Sequence, residues 1–589
     1  MTEYTTRWRT ALSWAVPLLI VAALAVFLMW EPRLAVGSDW RGFLPTLGDE
    51  PLYPAHVHTI AEGNYTDGNP YFVEHKGEAP IVLWGGAWIN AVPFFLGIPN
   101  NAATYLNFFI WSLLFAASLY ALLRELMAPR WLASIGVVLL YLESFTHIWR
   151  PVNLQPVYPF FFLFYLGLAR FIKSQTRTNG LLMALCAAAS FYLFSYLWQA
   201  VVITLGLLCL WALTTRQWPL IKSSFIYSAL AAILGAPAVI YTLWLSHASP
   251  YFWESIARFG LVHTHIPTSE VLRSGGWVGL VVIFIACMWW LSPRKYGESY
   301  VALGLFVLIS GLGLWIEQGS NLLTGIYLET GEHLRELIIT WLGIIDIVLV
   351  AFLLRQWGSF RLSAKVAAAL VVALCTAGNL YYTYYYFMQT QPTAPMVVLW
   401  RQEQTYVGPI DWLQANVQEP VVVWSDPHNY ITNYIPASTR HYTLFSTFAV
   451  WNLVPQSEIT ERYLVSQYFD NPSTTTLLAD LTLYMGRQYL HLPPTIAREI
   501  FVCKALHFWQ KNPQCGTPKT AEDILGDAYF AGLRAQFVSD IRPNIKEYLA
   551  KYHVSYILKN KQTDTAWHPG VLGAVPVYQD ANWELYKLP

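Results

Sequence analysis

Apolar residues in this chain gather into long runs separated by short polar loops, and the length of those runs is the first constraint on its structure. A helix needs roughly 17 to 25 predominantly apolar residues to cross a hydrocarbon core about 30 Å thick. Runs of about that length occur near residues 11–30, 101–123, 131–146, 156–172, 181–198, 199–215, 225–246, 275–292, 299–316, 336–354 and 366–388. They predict eleven membrane spans. The fifth and sixth divide one uncharged stretch, 181–215, which is too long for a single helix rising about 1.5 Å per residue to cross once. A turn near Tyr196–Gln199 makes it two.

The positive charges test that count, because short cytoplasmic loops are enriched in Lys and Arg. With the N-terminus cytoplasmic, the inside segments hold Arg7 and Arg9, Arg124 and Arg130, Lys173 and Arg177, Arg216 and Lys222, Arg294 and Lys295, and Arg355, Arg361 and Lys365. Reading 181–215 as one span would move the later basic pairs outside. The expected location is therefore a plasma (inner) membrane, multi-pass, with everything after about residue 388 on the extracytoplasmic side. Ala35-Val36-Gly37 resembles a small-residue cleavage site, but a twenty-residue apolar core exceeds the usual 7 to 15 of a signal peptide and reads as an uncleaved anchor.

Two outer segments are long. Residues 1–388 form the predicted transmembrane helical domain, with a large first external loop at 31–100, and residues 389–589 form a predicted extracytoplasmic soluble α/β domain. In that tail, IDWLQANVQ reads as a helix, PVVVWSD as a buried strand followed by a turn at Pro427–Asn429, YLAKYHVSYILKN as helix then strand, and VYQDANWELYKL as two short strands. Trp412, Trp424 and Trp451 suit either glycan recognition or plain packing.

Composition agrees: 12% of the 589 residues are charged, against about 25% in soluble domains, and 16% are aromatic. A formal net charge of +0 gives no general field for nucleic acid, so partners other than the bilayer must be argued from local sites. Cys186, Cys209, Cys287 and Cys375 fall inside apolar runs, while Cys503 and Cys515 lie in the tail, where an oxidising compartment allows them to pair. No Walker A, GxGxxG or CxxC pattern is present, nor a GxSxG leading into a helical pattern, which leaves nucleotide binding and serine hydrolysis without support.

Candidate chemistry concentrates on the outer side. The first loop holds Glu31, Asp39, Asp49, Glu50, Glu62, Asp67, Glu74 and Glu78 against Arg33, Arg41 and Lys76, an acidic excess that favours a cation. Within GDEPLYPAHVHTIAEG, Pro51 and Pro54 suit a helix start, so a short helix from about Pro54 to Glu62, stopped by Gly63, is expected. Asp49 and Glu50 then stand just ahead of it, as helix-terminus charges or as a base or cation site. His56 and His58 point to nearly opposite sides of a helix and cannot readily chelate one ion, whereas His58 and Glu62 share a face.

Arginines outside run against the cytoplasmic bias and ask for partners. ESFTHIWRPVNLQPVYP places His147 and Arg150 near the interface with Glu143, and Asn153 and Gln155 follow. YLETGEHLRELIITW places Glu329, Glu332, His333, Arg335 and Glu336 where a helix re-enters the membrane. Arg335 can be a phosphate ligand or a snorkelling residue paired with Glu332 or Glu336. His263 and His265 read as loop residues or a metal pair, and Asp346, deep in the tenth span, as a structural hydrogen bond across helices or a functional group.

The acidic pair followed by an aromatic helix, then NPYFVEHKGEAP before the second span, resembles the GT-C class of membrane glycosyltransferases. The resemblance implies a GT-C-like bundle of about 11 transmembrane helices and transfer of a sugar from a polyprenyl-phosphate donor to a glycan, lipid or protein acceptor on the extracytoplasmic face. It further implies Asp49, with Glu50 close behind, as catalytic base or metal ligand, a divalent ion being held by Asp49 and Glu50 with His58 as a further ligand. Arg335, His333, Arg150 and His147 would bind the lipid phosphate. The DxD-like second motif of oligosaccharyltransferases is absent from this sequence, which puts their metal site and peptide acceptor in doubt. A transporter or flippase of lipid-linked saccharides, or a non-catalytic scaffold of the same fold, are the alternatives. A transporter calls for paired, broken segments in two halves of the chain, and no clear internal repeat is present.

Overall fold

Every one of the eleven apolar runs falls on a helix. In the computed structural model, which describes residues 2–44, 50–81, 83, 85–150, 154–291, 298–356, 362–510 and 514–589, these helices are Thr2–Val36, Asn100–Glu125, Arg130–Trp149, Val157–Lys173, Arg177–Leu193, Leu197–Thr215, Trp218–Ala248, Ser274–Leu291, Glu298–Gln318, Thr330–Gln356 and Leu362–Thr390. Asp49, Asn153, Arg294, Lys295 and Arg361 lie outside the described residues. Among the described residues, six helices are long and apolar enough to cross a membrane, and the chain is a mostly helical, multi-pass membrane protein. The break in 181–215 falls at Phe194–Tyr196, ahead of the expected Tyr196–Gln199.

Local chemistry accounts for the helix ends. Pro99 and Pro129 immediately precede the helices Asn100–Glu125 and Arg130–Trp149, where their missing N–H costs nothing. The hydroxyl of Thr176 accepts from the Asn179 N–H and starts Arg177–Leu193. Between Val157–Lys173 and Arg177–Leu193 the backbones touch at Gly167, where a Cβ would lie 2.6 Å from the Met183 backbone nitrogen. Aromatic rings fill the bundle core: Phe115 meets Tyr141, Tyr158 and Phe162 edge-to-face, with centroids 5.7, 5.4 and 5.0 Å apart.

The tail carries a five-stranded sheet in the order Tyr442–Thr443, Val422–Trp424, Val554–Asn560, Trp583–Lys587, Val575–Gln579, parallel across the first three strands and antiparallel across the last three. Its hydrophobic core takes in the loop between the first two apolar helices, since Leu52, Tyr53, Val57, Ile60, Tyr71 and Phe72 are buried together with Trp424, Phe445, Tyr463 and Ile557. The helix of that loop spans Leu52–Ala61, two residues ahead of the expected start at Pro54. Pro51 occupies the N-cap and Pro54 falls within the first turn, which needs no N–H donors. Gly63, at φ +93°, ends it.

Charged groups staple loop to tail. Arg462, fully buried, donates to Glu74 at 2.6 Å and Glu458 at 2.8 Å, between the rings of Phe72 and Tyr552. His75 bridges Glu78 and Glu458 at 2.8 and 3.0 Å. Arg258, the last residue of the short helix Phe252–Arg258 that follows Trp218–Ala248, donates to the carbonyls of Val450, Asn452 and Val454. Cys503 and Cys515 form a disulfide. Trp424 is core, and Trp412 packs on Tyr556 and Tyr578.

Candidate functional site

At the end of the bundle that meets the tail lies a pocket of about 970 Å³ including its mouth. Segments far apart in sequence wall it: Leu52 and Tyr53 of the loop helix, Gly86 and Ala87, the Phe194–Tyr196 break, Phe259, the entry to Thr330–Gln356, and Trp451 and Arg487 of the tail. Its walls are mostly apolar and aromatic; its polar end is made by Glu329, His333 and Arg487.

Glu329 is the centre of that end. The short antiparallel pair Val262–His263 with Ile326–Tyr327 brings the chain to the head of Thr330–Gln356, and the Glu329 carbonyl accepts from the His333 N–H at the first turn. Arg487 Nη1 lies 3.0 Å from both carboxylate oxygens, His491 Nε2 2.7 Å from Oε1, and His333 Nε2 3.2 Å from Oε2. Burial alone would raise the Glu329 pKa, but hydrogen bonds to His333 and His491 and the Arg487 charge outweigh it and hold the carboxyl well below the ordinary range. The residue has φ 47°, a left-handed conformation that costs a non-glycine about 1–3 kcal/mol and persists only when its surroundings impose it.

Gly486 delivers Arg487. At φ +62° it lies so near the 252–260 segment that a Cβ there would be 2.5 Å from the Arg258 carbonyl oxygen, and the Arg487 N–H donates to that carbonyl at 2.8 Å. No side chain fits, so glycine allows the approach that carries Arg487 to Glu329. The Arg487 guanidinium also lies 5.2 Å from the Trp451 ring centroid.

A second basic group adjoins the pocket. His147 Nδ1 is 3.3 Å from Glu336 and lies within electrostatic reach of Arg150, Arg335 and His333. Arg150 lies 5.7 Å from the centroid of Tyr53, a pocket wall, and His333 stacks on Tyr196 at 4.8 Å. The four residues expected at a lipid phosphate, Arg335, His333, Arg150 and His147, thus come together. Arg335 faces Glu270 at 3.8 Å; of its two expected partners, Glu336 has turned to His147, and the Glu332 side chain lies outside the described residues. Only an inter-helix arrangement decides that choice.

The metal set fares differently. Asp49 lies outside the described residues, and Glu50 is buried ahead of the loop helix. His58 pairs with Glu62 at 3.8 Å and lines a separate polar cavity with Arg440 and His441, while burial lowers its pKa. Among the described residues, Glu50 and His58 join no third His, Cys, Asp or Glu at ligand spacing. His56 turns the other way, to Asp67 at 2.8 Å, as helical spacing requires.

The remaining polar candidates lie away from this pocket. His263 is exposed and His265 bonds the Leu322 carbonyl, while Asp346 accepts a hydrogen bond from Thr376 on the neighbouring helix. Arg487 and His491 were not singled out from the sequence. Both sit in a tail helix region whose local pattern reads as ordinary amphipathic surface, and Glu329 offers no sequence signal toward them, since His333 four residues on already supplies a local partner.

No family model matches the chain, and no curated protein matches it. Among solved structures, the chain is similar over 96% of its length, and over 98% of the other chain, to ArnT from Cupriavidus metallidurans bound to undecaprenyl phosphate, with 11% identity and a TM-score of 0.41. At that TM-score the likeness bears on neither substrate nor chemistry.

Proposed function

We propose that this protein is a membrane glycosyltransferase that takes a sugar from a polyprenyl-phosphate donor and passes it to a glycan, lipid or protein acceptor on the extracytoplasmic face. The observation that carries the reading is the pocket itself: apolar and aromatic walls for a prenyl chain, with Arg487 and His333 at one end and Arg150, His147 and Arg335 beside it for a phosphate. Arg suits a phosphate through its bidentate fork. The acidic pair Asp49–Glu50 leads directly into Leu52 and Tyr53 of the pocket wall, where a carboxylate can take the proton of the acceptor hydroxyl. Asp49 is the proposed base, with Glu50 its neighbour; a divalent ion shared by the two carboxylates would take up charge on the leaving phosphate.

The test is sugar transfer from a polyprenyl-linked donor by the purified protein in detergent, with and without Asp49→Asn. Loss of transfer at unchanged donor binding is expected. Full activity in the variant removes Asp49 as the base, and absence of any binding to a polyprenyl-phosphate lipid removes the class.

A further inference from the structure

One group at the pocket has no use in the reading above. Glu329 is only 4% exposed, whereas its partner Arg487 is 33% exposed and lines the cavity. Both line the cavity, and the cation is the more open of the two to the space where a ligand would sit. Arg487 meets both carboxylate oxygens at 3.0 Å, and His491 and His333 complete a cradle around one negative charge. A phosphate offers the same pair of oxygens to an arginine fork. Glu329 is held there with φ 47°, a left-handed conformation that its surroundings must impose.

We infer that Glu329 is a tethered stand-in for the anionic head of the pocket's ligand: it neutralises the cradle that Arg487 and His491 bring from the tail, and the phosphate of a polyprenyl-phosphate lipid displaces it and takes Arg487 as its partner. This rests on the polyprenyl-phosphate reading and adds to it Glu329, as the group that the phosphate replaces on Arg487. A simple clasp between bundle and tail would lose ligand affinity alike when either partner is removed. A displaced stand-in gives opposite signs, because removing the Glu329 charge frees Arg487 while removing Arg487 deletes the ligand's partner.

The experiment titrates full-length protein in detergent with a polyprenyl monophosphate, and in parallel with the polyprenol of the same chain length, following quenching of tryptophan fluorescence. Glu329→Gln is expected to bind the phosphate lipid several-fold tighter, and Arg487→Gln about tenfold weaker, as loss of one charge-assisted contact implies. Arg487→Lys falls between, and polyprenol binding moves in none of them. Should Glu329→Gln not remain monodisperse, Glu329→Asp withdraws the carboxylate by one methylene and carries the same expected sign. Phosphate-lipid affinity that falls or stays level in the Glu329 variants, or an Arg487→Gln affinity within about twofold of the parent, overturns the inference while leaving the donor class intact. A parent protein that does not distinguish polyprenyl phosphate from polyprenol overturns the donor class itself.

Discussion

Arg462 ties the first long loop to the tail, and replacing it with Met measures how much that tie matters. Its side chain is 0% exposed and its partners Glu74 and Glu458 are 26% and 21% exposed, so the variant leaves two carboxylates in partly dry surroundings with their shared cation gone. Removing one partner of a buried ion pair costs about 3–5 kcal/mol; water still reaches both acids, which lowers the figure to about 2–3 kcal/mol. Loss of the guanidinium between the rings of Phe72 and Tyr552, at 4.1 and 3.9 Å, adds about 1 kcal/mol. At about 2–4 °C per kcal/mol for a unit of this size, the unfolding midpoint in detergent should fall by about 10 °C. Limited proteolysis should become faster within 62–80, the part of the loop that Glu74 anchors. Glu74→Gln in the Arg462→Met background should then cost far less than in the parent, since the pair is already broken. A midpoint within about 1 °C of the parent, with the loop equally resistant to protease, refutes the coupling.

Two further outcomes follow from neighbouring groups. His75 is buried, which opposes its charge, but hydrogen bonds to Glu458 and Glu78 raise its pKa to about 9. A raised folded-state value means that its stabilisation is complete below an unfolded value of about 6.5 and is lost as pH rises through about 9. Midpoints measured across that window should fall with pH in the parent and flatten in His75→Gln. Gly486→Ala should detach Arg487 from Glu329, because φ +62° and a Cβ 2.5 Å from the Arg258 carbonyl oxygen leave the new methyl no room. The expected readout is loss of donor binding together with a lowered midpoint, and a variant with parental affinity for polyprenyl phosphate contradicts the route by which Arg487 reaches the pocket.

Helices along all the apolar runs were readable from one dimension, since a backbone in lipid must bond to itself and the length of an apolar run measures the crossing. The buried strand at Val422–Trp424, the terminal pair Val575–Gln579 and Trp583–Lys587 and the Gly63 stop were legible for the same kind of reason, each being written in residues adjacent in sequence. The opposed directions of His56 and His58 needed nothing but helical spacing.

The sequence also marked His147, Arg150, His333 and Arg335 as outer-side groups in need of partners, but it could not say which partners. Arg335 turned to Glu270, an acid on another helix. The tertiary structure alone decided that the first loop shares its core with the tail, and that Arg487, 158 residues beyond Glu329, is the cation that meets it. Electrostatic partners separated by so many residues leave no periodicity and no spacing rule behind. Their pairing is selected by which loops the packing of bundle and tail brings within about 3 Å, a distance set by every contact in between.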